Sequence, residues 1–145
     1  MEISKILGHK GREVYSVRPA DSIATAIALF ATKKIGAAVV TDDHGKIAGI
    51  VSERDVVRAL HDLGPAIAER AVADIMTAEV VTCPPTASVG DGVALMDANR
   101  IRHIPVAEDG AAIGVISMRD VVAVRLSQLE LDIEVLREQL ITGAK

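Results

Sequence analysis

The sequence predicts an α/β fold of the α+β type, built from two copies of one small unit and closed by a C-terminal helix. Three observations carry this. The stretch Gly49-Ile-Val-Ser-Glu-Arg-Asp-Val-Val57 recurs as Gly114-Val-Ile-Ser-Met-Arg-Asp-Val-Val122, an offset of 65 residues (114 minus 49). Around each copy, short β-branched runs interleave with apolar residues at helical spacing, as expected of alternating strands and helices. Beyond the second copy, apolar residues continue in a helical stripe to Leu140.

A chain of 145 residues makes one compact unit or two very small ones. Half of its residues are hydrophobic, enough for a packed core, and nearly all of these are Ala, Val, Ile and Leu. Tyr15 and Phe30 are the only aromatic residues, so few rings are available to stack bases. A net charge of −4 with dispersed basic residues also argues against a nucleic-acid partner. Cys83 is the only cysteine, which excludes an internal disulfide and fits a cytoplasmic protein. The N-terminus lacks the apolar run of a signal peptide. No stretch approaches the ~20 apolar residues of a membrane span.

The repeat extends beyond the doubled stretch. Val14, Pro19, Ser22, Ala28, Leu29, Ile35 and Val40 match Val80, Pro85, Ser88, Ala94, Leu95, Ile101 and Val106. Two long copies are too few for a solenoid and suggest a pair packed about a pseudo-twofold axis. Each copy begins with a short amphipathic helix carrying Ile3, Ile6 and Leu7, or Val72, Ile75 and Met76. A strand follows, over 14–17 or 80–83, and stops before proline. Ser22 and Ser88 then read as N-caps of a second helix. A strand over 37–41, or 103–106, turns through Asp42-Asp43-His44-Gly45, or Glu108-Asp109-Gly110, into the doubled stretch and its helix. The expected boundaries are 1–66 for the first copy with its lead-in helix, 67–126 for the second, and 127–145 for a helical extension. In the last part Val122, Leu126, Leu129, Ile133, Leu136 and Leu140 form an a/d seam flanked by charges. An apolar stripe that projects past the repeat calls for a partner subunit to cover it.

The chemistry lies at the two strand-to-helix junctions. A carboxylate there, Asp55 or Asp120, can accept hydrogen bonds from the vicinal hydroxyls of a ribose. A hydroxyl and free backbone N–H groups at a helix start, as at Ser52 and Ser117, suit a phosphate. Arg54 and Arg119 add guanidinium donors. Arg102 and His103 place two more polar groups beside the second junction, where the first copy has Gly36 and Ala37 with only Lys34 charged nearby. The second site is therefore expected to be the better equipped for phosphate. Ser-x-x-Asp is also a capping pattern, and Ser88-Val-Gly-Asp91 repeats it where no ligand is expected. Capping does not require the duplicated arginine, and capping and ligand binding are compatible.

These residues resemble a tandem pair of CBS domains, a Bateman module. The resemblance rests on Gly49-Ile-Val-Ser-x-Arg-Asp55 and Gly114-Val-Ile-Ser-x-Arg-Asp120, on Arg102-His103-Ile104-Pro105-Val106, and on the Val-x-x-x-x-Pro stretches at Val14 and Val80. It covers essentially the whole chain. It implies two small mixed sheets, each with two helices, packed together so that two clefts lie between them. The clefts of this family bind adenosine-containing ligands such as AMP, ATP, NAD(H) or S-adenosylmethionine. By resemblance, Asp55 and Asp120 hold ribose, while Ser52, Ser117, Arg54, Arg119, Arg102 and His103 lie near phosphate. Ser16 and Thr82 meet the adenine edge through their backbone. Lys34, Gly36, Ala37, Ile104, Pro105 and Met118 complete the expected set.

The expected function is a non-enzymatic nucleotide sensor, homodimeric, acting on an unidentified regulated protein. No nucleophile, base and orienting partner assemble from the motifs. No two of His9, His44, His61 and His103 sit at i, i+4 on a predicted helix, so no metal site is expected. The Asp42-Asp43 pair reads as a solvated turn. The rival reading is a structural or protein-interaction module in which the doubled motif only caps helices.

Overall fold

A computed structural model of the chain describes residues 1–143. The last two residues of the expected extension lie outside the described residues. The first copy contains β1 (Ser16–Val17), α2 (Ile23–Lys33), β2 (Ala37–Thr41), β3 (Ile47–Ser52) and α3 (Glu53–Leu63), preceded by α1 (Ile3–Lys10). The second contains α4 (Val89–Asn99), β4 (His103–Glu108), β5 (Ala111–Ser117) and α5 (Met118–Gly143). Two 3-10 helices, Pro65–Glu69 and Val72–Asp74, join them.

The first sheet has the order β1-β2-β3, with β1 parallel and β3 antiparallel to β2. In the second, β4 and β5 form an antiparallel pair, and the strand expected over 80–83 is reduced to one parallel bridge from Cys83 to Val106. That bridge is the repeat equivalent of the Val17–Val40 pairing. Pro84 and Pro85 follow at once and have no N–H to extend the ladder. The first strand is also shorter than expected, two residues rather than four. Each hairpin shifts register at matching positions, between Val40 and Thr41 and between Val106 and Ala107.

The N-caps form as the sequence implies. Ser22 Oγ accepts from the Thr25 N–H, and Ser88 with Asp91 makes a complete capping box. The second helices end alike, at Lys34 and Arg100, each in the left-handed region with φ of 54°.

The lead-in segments are exchanged. Ile3, Ile6 and Leu7 of α1 are buried in the second core, with Cys83, Val89, Met96, Ile104, Val106, Ile116 and Val121. Val72, with Ile75 and Met76 beside it, packs in the first core against Val17, Ala26, Phe30, Val40 and Val51. The backbone hydrogen bonds that hold them are twofold copies. Ile3 N–H donates to Ala87 O and Ser4 N–H to Pro85 O; Val72 N–H donates to Asp21 O and Ala73 N–H to Pro19 O. So α1, which sequence order groups with residues 1–66, packs on the other copy. The second lead-in is also a 3-10 turn where a second amphipathic α-helix was expected.

This exchange explains the two motif glycines. A Cβ on Gly114 would lie 2.5 Å from Leu7 Cδ2, and one on Gly49 would lie 2.7 Å from Met76 Sδ. Each glycine clears the space in which the opposite lead-in packs.

Candidate functional site

Two cavities open between the copies, of about 860 and 760 Å³. The first carries Ser52, Arg54 and Asp55 on one wall, with Thr77, Glu79, Val80, Val81 and Asn99 to His103 opposite. The second carries Ser117, Met118, Arg119 and Asp120, with Lys10, Glu13, Tyr15 and Lys34 to Ala37 opposite. Each cleft thus joins one copy's strand-to-helix junction to residues flanking the other copy's first strand.

Both junctions are capped. Ser52 N–H donates to Asp55 Oδ2 at 2.8 Å, and Asp55 N–H donates to Ser52 Oγ at 3.2 Å. At the second junction Ser117 N–H donates to Asp120 Oδ2 at 2.8 Å, and Asp120 N–H donates to Ser117 Oγ at 3.1 Å. Capping is therefore real at both. It engages only Oδ2; among the described residues no hydrogen bond reaches Oδ1 of either aspartate. Each cleft thus has one aspartate oxygen outside its cap.

The junctions differ in what approaches them from the lead-in. At the first cleft, Ile50 and Thr77 exchange backbone hydrogen bonds of 3.0 and 2.9 Å. In the second, α1 continues as a helix to Lys10. Lys10 Nζ takes the place of that backbone donor. It donates to Val115 O, the repeat mate of Ile50, and to Asp120 Oδ2, both at 2.6 Å. Burial pushes the Asp120 carboxyl up, but the Lys10 ammonium and the Ser117 donors outweigh it and hold the group below its ordinary value.

Arg102 and His103 line both clefts rather than the second alone. His103 lies against Gly36, where a Cβ would sit 3.2 Å from its Cε1. Burial pushes the imidazole below its ordinary pKa of 6.5, and Lys10 adds to the effect while Asp120 and Glu53 oppose it.

The two clefts are lined by equal numbers of cationic side chains, four in each. Arg54, Arg58, Arg100 and Arg102 line the first cleft, and among the described residues none of them is in an ion pair. The second cleft has Lys10, Lys34, Arg102 and Arg119, of which Lys10 is held by Asp120. Comparing Arg102-His103 with Gly36-Ala37 within the repeat misleads, because these residues stand on a wall common to both clefts.

Ser16 and Thr82 are exposed and line neither cavity, whereas Tyr15 and Val81 beside them do. Ile104 is fully buried in the second core, since strand alternation turns it away once His103 faces the cleft. Pro105 is buried too, with its carbonyl accepting from Cys83 N–H. The sequence reading missed Lys10, Arg58 and Arg100. Arg100 carries a signal in the sequence: it is the repeat mate of Lys34.

The CBS-domain family matches residues 10–62 and 72–127. The chain belongs to the CBS-domain family. Among solved structures, a CBS-domain protein from Agrobacterium tumefaciens is 39% identical, with a TM-score of 0.83 over 86% of this chain and 99% of that one. The CBS-domain pair of protein MJ0100, in complex with 5′-methylthioadenosine and S-adenosylmethionine, shares the fold at 22% identity, with a TM-score of 0.80 over 88% of this chain and 98% of that one. The mitochondrial CBS domain-containing protein CBSX3 of Arabidopsis thaliana is 38% identical over 106 residues, 70% of this chain. The chain spans 52% of that relative, and 21% of an inosine-5′-monophosphate dehydrogenase from Methanocaldococcus jannaschii that it also matches. Among the described residues no group of His, Cys, Asp and Glu is arranged to hold a metal, and no helix is long and apolar enough to cross a membrane.

Proposed function

We propose that this CBS pair is a non-catalytic regulatory module that binds an adenosine-containing ligand between its two motifs and signals by changing how they pack. The observation that carries the reading is the capped aspartate on the wall of each cleft, with Oδ1 left over for ribose hydroxyls. The four guanidiniums of the first cleft, in no ion pair among the described residues, support a phosphorylated ligand there, such as AMP, ATP or NAD(H). The adenosine ligands of the MJ0100 pair make S-adenosylmethionine a further candidate. A ligand shifts packing only by its difference in affinity for the two arrangements. Residues contributed by both motifs to each cleft provide that difference. The module acts as a homodimer on a regulated partner.

Thermal unfolding of the wild type, Asp55→Ala and Asp120→Ala with each of AMP, ATP, NAD(H) and S-adenosylmethionine tests this. A ligand at about 100 times its Kd adds roughly 2.7 kcal/mol of apparent stability. The expected outcome is a shift in the wild type that one or both variants lose. If no nucleotide shifts the wild type, the sensor reading falls and the motif is a capping device alone.

A further inference from the structure

We infer that α5 pairs with α5 of a second copy of this chain as a parallel, in-register, two-stranded coiled coil. The inference rests on the homodimeric part of the proposed function and not on its nucleotide part.

The helix leaves the body early. Val121 is buried and Val124 packs on the second core, but every residue from Arg125 to Gly143 is exposed. Those 19 residues (125 to 143) make a rod of about 28 Å. Along it Val122, Leu126, Leu129, Ile133, Leu136 and Leu140 form one stripe, each 49–74% exposed. The stripe points away from the side of the helix that carries Val121 and Val124. Leu131 and Val135 continue the line of Val124, on the far side from the seam.

The flanking charges select the partner and its direction. With Leu126, Ile133 and Leu140 at a, and Val122, Leu129 and Leu136 at d, the g positions hold Arg125 and Asp132 and the e positions hold Glu130 and Arg137. In a parallel in-register pair, g meets e of the next heptad. Arg125 then meets Glu130 of the partner subunit, and Asp132 meets Arg137 of the partner subunit. Symmetry doubles both attractions. The antiparallel pair that also buries all six layers brings Glu130 against the partner's Glu130 and Asp132 against the partner's Asp132. Like charges so placed are unfavourable. A copy of this same helix, pointing the same way, satisfies every charged flank of the seam.

The pairing also has a route to the clefts. The seam begins at Val122, which lines the second cleft, and the helix begins at the junction that carries Asp120. A ligand there touches the first turn of the helix that holds the dimer.

The test uses the whole chain without nucleotide. Light scattering is expected to give twice the chain mass of 15.2 kDa. Leu129→Cys is expected to form an intersubunit disulfide on mild oxidation, because parallel pairing sets position 129 opposite itself, whereas Leu131→Cys is not. Cys83, 2% exposed, does not compete. The Arg125→Glu, Arg137→Glu double variant is expected to weaken the dimer by roughly tenfold or more. Adding Glu130→Arg and Asp132→Arg restores the pairs, and with them the dimer. A monomeric wild type overturns the inference, as does a dimer in which Leu129→Cys fails to cross-link or the charge reversals change nothing. Each of these results leaves the thermal-shift test of the clefts unaffected.

Discussion

Lys10 is the residue on which the two clefts part company. Its ammonium sits on Asp120 Oδ2, with Lys10 37% and Asp120 23% exposed at the side chain, so the pair is partly screened and contributes at most about 1 kcal/mol. A ribose diol that reaches Oδ2 as well as Oδ1 would compete with this ammonium. Lys10→Met is therefore expected to tighten adenosine binding at the second cleft by up to about fivefold, measured calorimetrically in an Asp55→Ala background; unchanged or weaker binding would show that Lys10 assists the ligand. His103 makes a prediction in pH. Its folded-state pKa is lowered, so the unfolded chain takes up a proton before the folded one does. Its contribution to stability is lost as pH falls from 6.5 toward the folded value, while that of Asp120, also lowered, persists above the carboxylate range. Melting temperatures at pH 7.5 and 5.5 should fall further for the wild type than for His103→Gln; equal falls would refute the assignment. Ser52, Asp55, Ser117 and Asp120 were legible in the sequence because the repeat prints them twice. Lys10 was not, because its contact spans 110 positions and has no counterpart in the other copy.

Among the elements, α1 and the 72–76 segment depend on a glycine of the opposite copy. Gly114→Ala is expected to destabilise the chain by roughly 1–3 kcal/mol, because a methyl group would meet Leu7 at 2.5 Å inside a packed core. Denaturant unfolding measures the loss, and combining the change with Leu7→Ala should return part of it; fully additive losses would place the clash elsewhere. Gly49 and Gly114 stand out in the sequence, but their reason does not, since the atoms they make room for lie in the other half. The helices were legible from caps and spacing, and the hairpins from their turns. The first strands were not, because proline limits them to one or two paired residues. The 3-10 turn at Val72 looked helical only by likeness to Ile3.

For the molecule as a whole, exchanged lead-ins mean that neither core is complete with one copy alone. Both cores should be lost in a single step, with calorimetric and van't Hoff enthalpies in agreement once the latter is taken for a dimer unfolding to two chains; two resolved transitions that persist at any protein concentration would mean that each motif stands by itself. The same exchange sets an order of events during synthesis. The apolar face of α1 is made long before its cover: Ile116 follows Leu7 by 109 positions (116 minus 7). At ribosomal speeds of ~5–20 residues per second, that face waits roughly 5–20 s for the strand that buries it. The 72–76 segment meets its half-built core as soon as it emerges. A nascent chain stalled once the 72–76 segment has emerged therefore presents one filled core and one greasy helix, and that helix is where a chaperone should be found.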